Sequence, residues 1–219
     1  MIINYENVEI SHPKHPILAD CTLTVNEGEL VYIVGAVGSG KTSLLRSIYG
    51  DLIPRSGKAE VLGIDLMNLK SSKLPELRRM IGMDFQDFHF LPDMTVGENL
   101  DFVLRATGWK DKDERRCRII EVLEQVGMPE KINSYTFELS AGQKQLASIA
   151  RAILNNPKLI LADEPTCNLD AECGESIIQL LNSLTANGSA VIVTTHNRTW
   201  PEKYSGTIYT CKEGSLKKN

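Results

Sequence analysis

The sequence predicts an α/β fold with a largely parallel sheet and an inserted helical segment, and three observations predict it. Residues 30–34, 159–162 and 190–194 are short apolar runs rich in Val, Ile and Leu, the pattern of strands buried on both faces. Helical periodicity separates the last two of these runs, as expected where parallel strands are joined by crossover helices. Between the first two, residues 87–154 follow a mostly helical period and read as a subdomain inserted into the α/β core.

Each element has its own signal. Residues 2–10 and 17–25 are β-rich and are separated by a turn, His12-Pro13-Lys14-His15-Pro16. The run 30–34 ends in glycine, and a helix is expected over 41–49. Another strand pair is expected around 58–62 and 79–85. In the inserted segment Ile119, Val122, Leu123 and Val126 fall at i, i+3, i+4 and i+7, as do Leu146, Ile149, Ala150 and Ile153. Asp111, followed three residues later by Glu114, suits the start of the first of these helices. A last helix is expected near 173–184. The core is thus expected to comprise 1–86 and 155–219, as one domain over residues 1–219.

Composition narrows the function. At 219 residues the chain buries an adequate core, and its 42% hydrophobic and 24% charged content are ordinary for a globular protein. A net charge of −4 gives no basic field for a phosphate backbone, so nucleic acid is not the expected ligand. Five cysteines, Cys21, Cys117, Cys167, Cys173 and Cys211, are an odd number without a CxxC pair and read as thiols of a reducing compartment. No apolar run approaches the roughly 20 residues of a membrane helix, and the N-terminal residues lack a signal-peptide pattern, so a cytosolic location is expected.

Two motifs carry chemistry. Gly35-Ala36-Val37-Gly38-Ser39-Gly40-Lys41-Thr42 fits G-x-x-x-x-G-K-[ST] between an expected strand and an expected helix, with Ser43 next. Glycines let backbone N–H groups approach phosphate oxygens, and the helix N-terminus adds partial positive charge. Lys41 is then expected to reach the β- and γ-phosphates of a bound nucleotide, and Thr42 to ligate Mg²⁺. The apolar strand at 159–162 delivers Asp163 and Glu164, the first suited to holding Mg²⁺ and the second to polarising an attacking water.

Leu139-Ser140-Ala141-Gly142-Gln143 precedes a strongly periodic helix. Taken alone, this is a common helix-capping device. With a phosphate loop upstream and an Asp-Glu strand downstream, it resembles the signature of ABC ATPases. The resemblance covers nearly the whole chain and implies the nucleotide-binding domain of that family, a phosphate-loop NTPase with an antiparallel β-subdomain and an inserted helical subdomain. Gln86 is similar to the glutamine that senses the γ-phosphate and Mg²⁺, Asn168-Leu169-Asp170 to the D-loop, and His196 to the switch histidine. The catalytic set so implied is Glu164, His196 and Lys41, with Thr42, Gln86 and Asp163 on Mg²⁺. The family pattern implies a head-to-tail homodimer on ATP, in which Ser140, Ala141, Gly142 and Gln143 serve the nucleotide of the opposite subunit.

Several positions depart from the pattern. Ala141 replaces the first signature glycine, Leu146 stands where arginine is usual, and Cys167 where glycine is common. No aromatic residue clearly matches the one that stacks on adenine, and His12 falls nearest to it, so adenine over guanine is inherited from the resemblance alone.

The stretch from Leu77 to Leu91, including Arg78-Arg79-Met80-Ile81-Gly82 and Phe85-Gln86-Asp87, resembles FtsE-type subunits of bacterial cell division. Residues 161–170 fit these equally and are shared with lipoprotein-releasing and MacB-type exporters, which gives the alternative reading. A phosphate-loop kinase or a non-transport ABC ATPase is the alternative of another class, although one cassette without heptads suits neither a two-motor translation factor nor a coiled-coil chromosome ATPase. The resemblance implies an FtsX-like integral membrane partner, control of cell-wall hydrolases, and a peripheral position on the cytoplasmic side of the membrane. The partner is expected to dock near Gln86, where Phe88, Phe90 and Leu91 either form an apolar surface or are buried in the helical subdomain.

Overall fold

The computed structural model describes residues 1–12 and 15–219, His12 by its backbone alone. The elements run β1 (Ile3–His12), β2 (His15–Val25), β3 (Leu30–Val34), α1 (Lys41–Ile48), β4 (Ser56–Val61), β5 (Ile64–Asp65), α2 (Leu74–Arg79) and β6 (Ile81–Asp84). They continue with α3 (Val96–Ala106), α4 (Lys112–Gln125), α5 (Ala141–Ile153), β7 (Leu159–Asp163), α6 (Ala171–Thr185), β8 (Ala190–Thr195), α7 (Thr199–Lys203), β9 (Thr207–Lys212) and β10 (Ser215–Lys218).

These strands form one mixed sheet in the order β5-β4-β1-β2-β10-β9-β3-β8-β7-β6. From β9 through β3, β8 and β7 to β6 all pairings are parallel. On the other side β1 pairs antiparallel with β2 and β4, and β4 with β5. The expected pairing of 58–62 with 79–85 does not form: β4 lies near one edge of the sheet, and β6 is the opposite edge. Residues 79 and 80 belong to the end of α2, where Arg79 closes the helix and Met80 caps it.

The central strands are fully buried, as their apolar runs require, and they alternate between two cores. Val31 and Ile33, Leu159 and Leu161, and Ala190 and Ile192 join one cluster with Leu44, Leu45 and Ile48 of α1. Tyr32 and Val34, Ile160 and Ala162, and Val191 and Val193 join the other, with Val122 and Leu123 of α4, Ile149 of α5 and Ile177 of α6. Period-two alternation thus feeds two helical layers, and each fully buried Leu or Ile contributes about 2 kcal/mol relative to exposure. Of the second predicted periodic set, Ile149, Ala150 and Ile153 are buried, while Leu146 is half-buried at the edge of the same cluster.

Helix starts follow capping chemistry. Asp111 caps α4 by accepting from the N–H groups of Asp113 and Glu114, and Asp170 caps α6 by accepting from that of Cys173. All five cysteines are free thiols.

Candidate functional site

The phosphate-loop segment connects β3 to α1. Gly38 and Gly40 have φ of 79° and 106°, a left-handed conformation that glycine adopts at little cost. At Gly35 no side chain fits, since an added Cβ would lie 2.5 Å from the carbonyl oxygen of Cys211. Helix α1 starts at Gly40 with no side-chain cap and no acidic residue in its first turn. Its first amides are left for an anion. Val37 at the loop tip is 88% exposed.

Lys41 is buried and points back under the loop. Its ammonium donates to the carbonyl oxygens of Gly35 (2.9 Å) and Ala36 (3.0 Å) and pairs with Glu164 Oε1 at 3.2 Å. The other carboxylate oxygen of Glu164 lies 3.0 Å from His196 Nδ1. The three residues assigned to catalysis from the sequence are therefore joined in a chain of contacts, although they arrive from α1, from the end of β7 and from the end of β8.

Glu164 has φ of 52°, unusual for a residue with a side chain. Thr194 holds this turn: the Glu164 N–H reaches its carbonyl oxygen at 3.2 Å and its Oγ1 at 3.0 Å. The same Thr194 hydroxyl donates to Asp163 Oδ1 at 2.6 Å. Thr194 thus orients both carboxylates, a role that the sequence reading missed. Its signal is a hydroxyl directly after the apolar run Ala190 to Val193, where burial without a partner is costly.

Thr42, Gln86 and Asp163 border one cavity of about 470 Å³, with Tyr49, Phe85 and His89 also on its wall. Gln86 lies two residues beyond the end of β6 and is exposed. A single carboxylate, a hydroxyl and an amide on one cavity suit Mg²⁺, which is commonly bound through one or two carboxylates and substrate phosphates. Consistent with that donor set, no group of three or more His, Cys, Asp or Glu able to hold a metal alone occurs among the described residues.

The signature residues lie at the start of α5. Ser140 and Gln143 cap each other, the Ser140 hydroxyl accepting from the Gln143 N–H and the Gln143 side chain from the Ser140 N–H. Ser140 and Ala141 are exposed. Asp170 serves as the cap of α6, and the side chain of His12 lies outside the described residues. Phe88 and Phe90 are half-buried and stacked with ring centroids 6.1 Å apart, Phe90 packing against the second core, while Leu91 is exposed.

Asp84, at the end of β6, was not singled out in the sequence. It is buried and accepts from Gln145 Nε2 and Ser148 Oγ, each at 2.5 Å. Burial pushes its carboxyl up to about 7, against the pull of the bonds from Ser148 and Gln145. A carboxylate inside a buried strand was the available signal.

The family model for ABC transporters matches residues 18–167. The chain belongs to the ABC transporter family. It is an ABC-type ATPase with the mixed sheet and helical layers of that cassette. It is 40% identical over 180 residues to the cell division ATP-binding protein FtsE of Streptococcus pneumoniae serotype 2, strain D39, covering 82% of this chain and 78% of that one. It is 41% identical over 199 residues to the methionine import ATP-binding protein MetN of Carboxydothermus hydrogenoformans, covering 89% of this chain and 59% of that one. Among solved structures, a dimeric ATP-binding cassette in a post-hydrolysis state bound to ADP and Pi superposes with a TM-score of 0.89 at 34% identity, covering 100% of this chain and 98% of that one.

Proposed function

We propose that this ABC ATPase is the motor subunit of a membrane complex of the cell-division type, FtsE-like, acting as an ATP-driven homodimer with an FtsX-like integral membrane partner. The observation that carries the motor reading is the Lys41–Glu164–His196 chain beside the cavity bordered by Thr42, Gln86 and Asp163. The 40% identity to an FtsE protein carries the biological setting.

On this reading the loop amides of residues 35–43 and Lys41 bind and orient the phosphates of ATP. Thr42, Gln86 and Asp163 would hold Mg²⁺, which supplies charge neutralisation on the phosphates. Glu164 accepts a proton from the attacking water, and His196 holds the carboxylate oriented from its far side. Ser140, Ala141, Gly142 and Gln143 face the nucleotide of a second copy, and Asp170 lies close to that interface. Catalysis then rests on positioning and electrostatics, with little covalent work for the protein. Closure of the dimer on ATP and opening after hydrolysis give the stroke.

The division into a core of 1–86 and 155–219 with a helical subdomain at 87–154 belongs to the same proposal. No helix among the described residues is long and apolar enough to cross a membrane. We place the subunit on the cytoplasmic face, held there by its partner. The groove beside Gln86 is the proposed docking site, with Phe88, Phe90 and Leu91 as the apolar surface offered to the partner.

Trapping the Glu164→Gln variant with ATP and identifying what co-purifies from solubilised membranes tests the setting. An FtsX-like protein with a small extracytoplasmic domain supports it. A methionine-import permease, as the MetN identity suggests, or a lipoprotein-release or MacB-type permease keeps the motor and replaces the biology. A trapped dimer with no membrane protein contradicts the membrane partner itself.

A further inference from the structure

The chain is fastened to α5 on both sides of Gln86. Two residues before it, the buried Asp84 carboxylate accepts from Gln145 and Ser148. Three residues after it, the carbonyl oxygen of His89 accepts from Arg151 Nη1 at 3.1 Å. The Arg151 guanidinium also lies 5.0 Å from the Phe90 ring centroid and 6.0 Å from that of Phe85, and its Nη2 reaches Ser148 Oγ at 3.4 Å. Gln145, Ser148 and Arg151 succeed one another at spacings of three along one helix, so they share a face.

Backbone contact reinforces the side chains. Gly82 of β6 sits so close to α5 that an added Cβ would lie 2.3 Å from the Ala152 carbonyl oxygen. The same α5 starts at the Ser140–Gln143 capping box. One helix therefore presents the signature segment at its N-terminus and grips the Gln86 loop along its later turns.

Stability alone does not call for this arrangement. The other residues of β6 are apolar or glycine, and an apolar residue at position 84 would avoid the cost of burying a carboxylate. What the carboxylate adds is direction, since two fixed donors on one acceptor permit a single register between β6 and α5.

We propose that Asp84, with Gln145, Ser148 and Arg151, is a positioning device that makes the Gln86 loop and the Ser140–Gln143 segment one rigid unit, so that a displacement of either is felt by the other. The inference rests on the nucleotide-site reading above, because that reading gives Gln86 something to sense. What it adds is the set of residues that carry such a link in this chain, Asp84 at the end of β6 and Gln145, Ser148 and Arg151 on α5.

Amide hydrogen exchange of the full chain with Mg-ATP, at a concentration where it sediments as a monomer, tests the link. In the native protein, exchange is expected to change at 35–43, at 86–91 and in the first turns of α5 over the same range of ATP. Asp84→Asn keeps an acceptor oxygen and offers an amide to a turned Gln145 side chain, so it should retain all three responses. Asp84→Val should keep the responses at 35–43 and 86–91 and lose the one in α5. Ser148→Ala removes one donor and should weaken the α5 response, which keeps the test valid if Asp84→Val does not fold. A folded Asp84→Val, or a Ser148→Ala, with the full native response in α5 overturns the link alone. Native protein with no response at 35–43 overturns the nucleotide-site reading and the link with it.

Discussion

The Lys41 ammonium stands 3.2 Å from the Glu164 carboxylate and also donates to the carbonyl oxygens of Gly35 and Ala36. Phosphate oxygens that recruit Lys41 must compete with that carboxylate. Glu164→Gln removes the charge from the competition and is expected to tighten ATP binding severalfold. Lys41→Ala removes a charge-assisted donor worth about 1.5–3 kcal/mol and should weaken binding by roughly 10- to 100-fold. Isothermal titration with ATP checks both, and unchanged affinity in Lys41→Ala contradicts the assignment of the loop.

Thr194 ties Asp163 to the strained turn at Glu164, and removing its hydroxyl should loosen both carboxylates. Thr194→Val conserves shape, and it leaves the Glu164 N–H only the Thr194 carbonyl oxygen. A loss of about 1–2 kcal/mol in stability is expected from the broken hydrogen bonds. Single-turnover hydrolysis should slow by at least about tenfold, since misplacing a reacting group by an ångström costs up to about a hundredfold. Native rates in a correctly folded variant would show that Thr194 is only structural.

Gly142 offers a test in which the sign of the effect decides. Glycine to alanine inside a helix ordinarily stabilises by about 0.8–1 kcal/mol. Here the added Cβ would lie 2.6 Å from Cys173 Sγ, so the thiol must leave its rotamer or α5 and α6 must give way. Gly142→Ala should instead destabilise by about 1–3 kcal/mol, as overpacking does. Adding Cys173→Ala should recover most of that loss, as expected of two residues in direct contact. Denaturant melts of the two single variants and the double variant measure the coupling.

Phe88 and Phe90 stack on each other beside Gln86. Replacing both by serine is expected to abolish association with the membrane partner while leaving ATP affinity within about a factor of two, since neither ring lines the cavity bordered by Thr42, Gln86 and Asp163. Because Phe90 also touches the second core, a modest fall in melting temperature should accompany the change. Intact membrane association in this variant counts against the docking groove.

Much of this was legible in the sequence where one local signal suffices. The runs 30–34, 159–162 and 190–194 are strands because a fully buried strand must be apolar at every position, and the structure buries every residue of β3, β7 and β8. The helix starts at Asp111 and Ser140 follow from short-range capping. The phosphate-loop and Asp-Glu motifs stand at the strand ends where they were expected, and Lys41, Glu164 and His196 come together there.

What the sequence hid depends on partners far apart along the chain. Strands 58–62 and 79–85 are near in sequence but lie on opposite sides of the sheet, because β1 takes the first and β7 the second. The strands at 207–212 and 215–218 were not anticipated, being short, mixed in polarity and only partly buried. Asp84 finds its partners 61 and 64 residues away, a distance that no local pattern spans.

The central claim is that Glu164 activates water in an ATP site shared by two copies of the chain, and sedimentation of Glu164→Gln with Mg-ATP, alongside its hydrolysis rate, tests it most directly. The expected result is a dimer that persists in ATP and not in ADP, with turnover reduced by two or more orders of magnitude, in the range of roughly 10²–10⁴ that general-base catalysis supplies. A variant that stays monomeric in ATP and hydrolyses it at the native rate contradicts both the shared site and the role of Glu164.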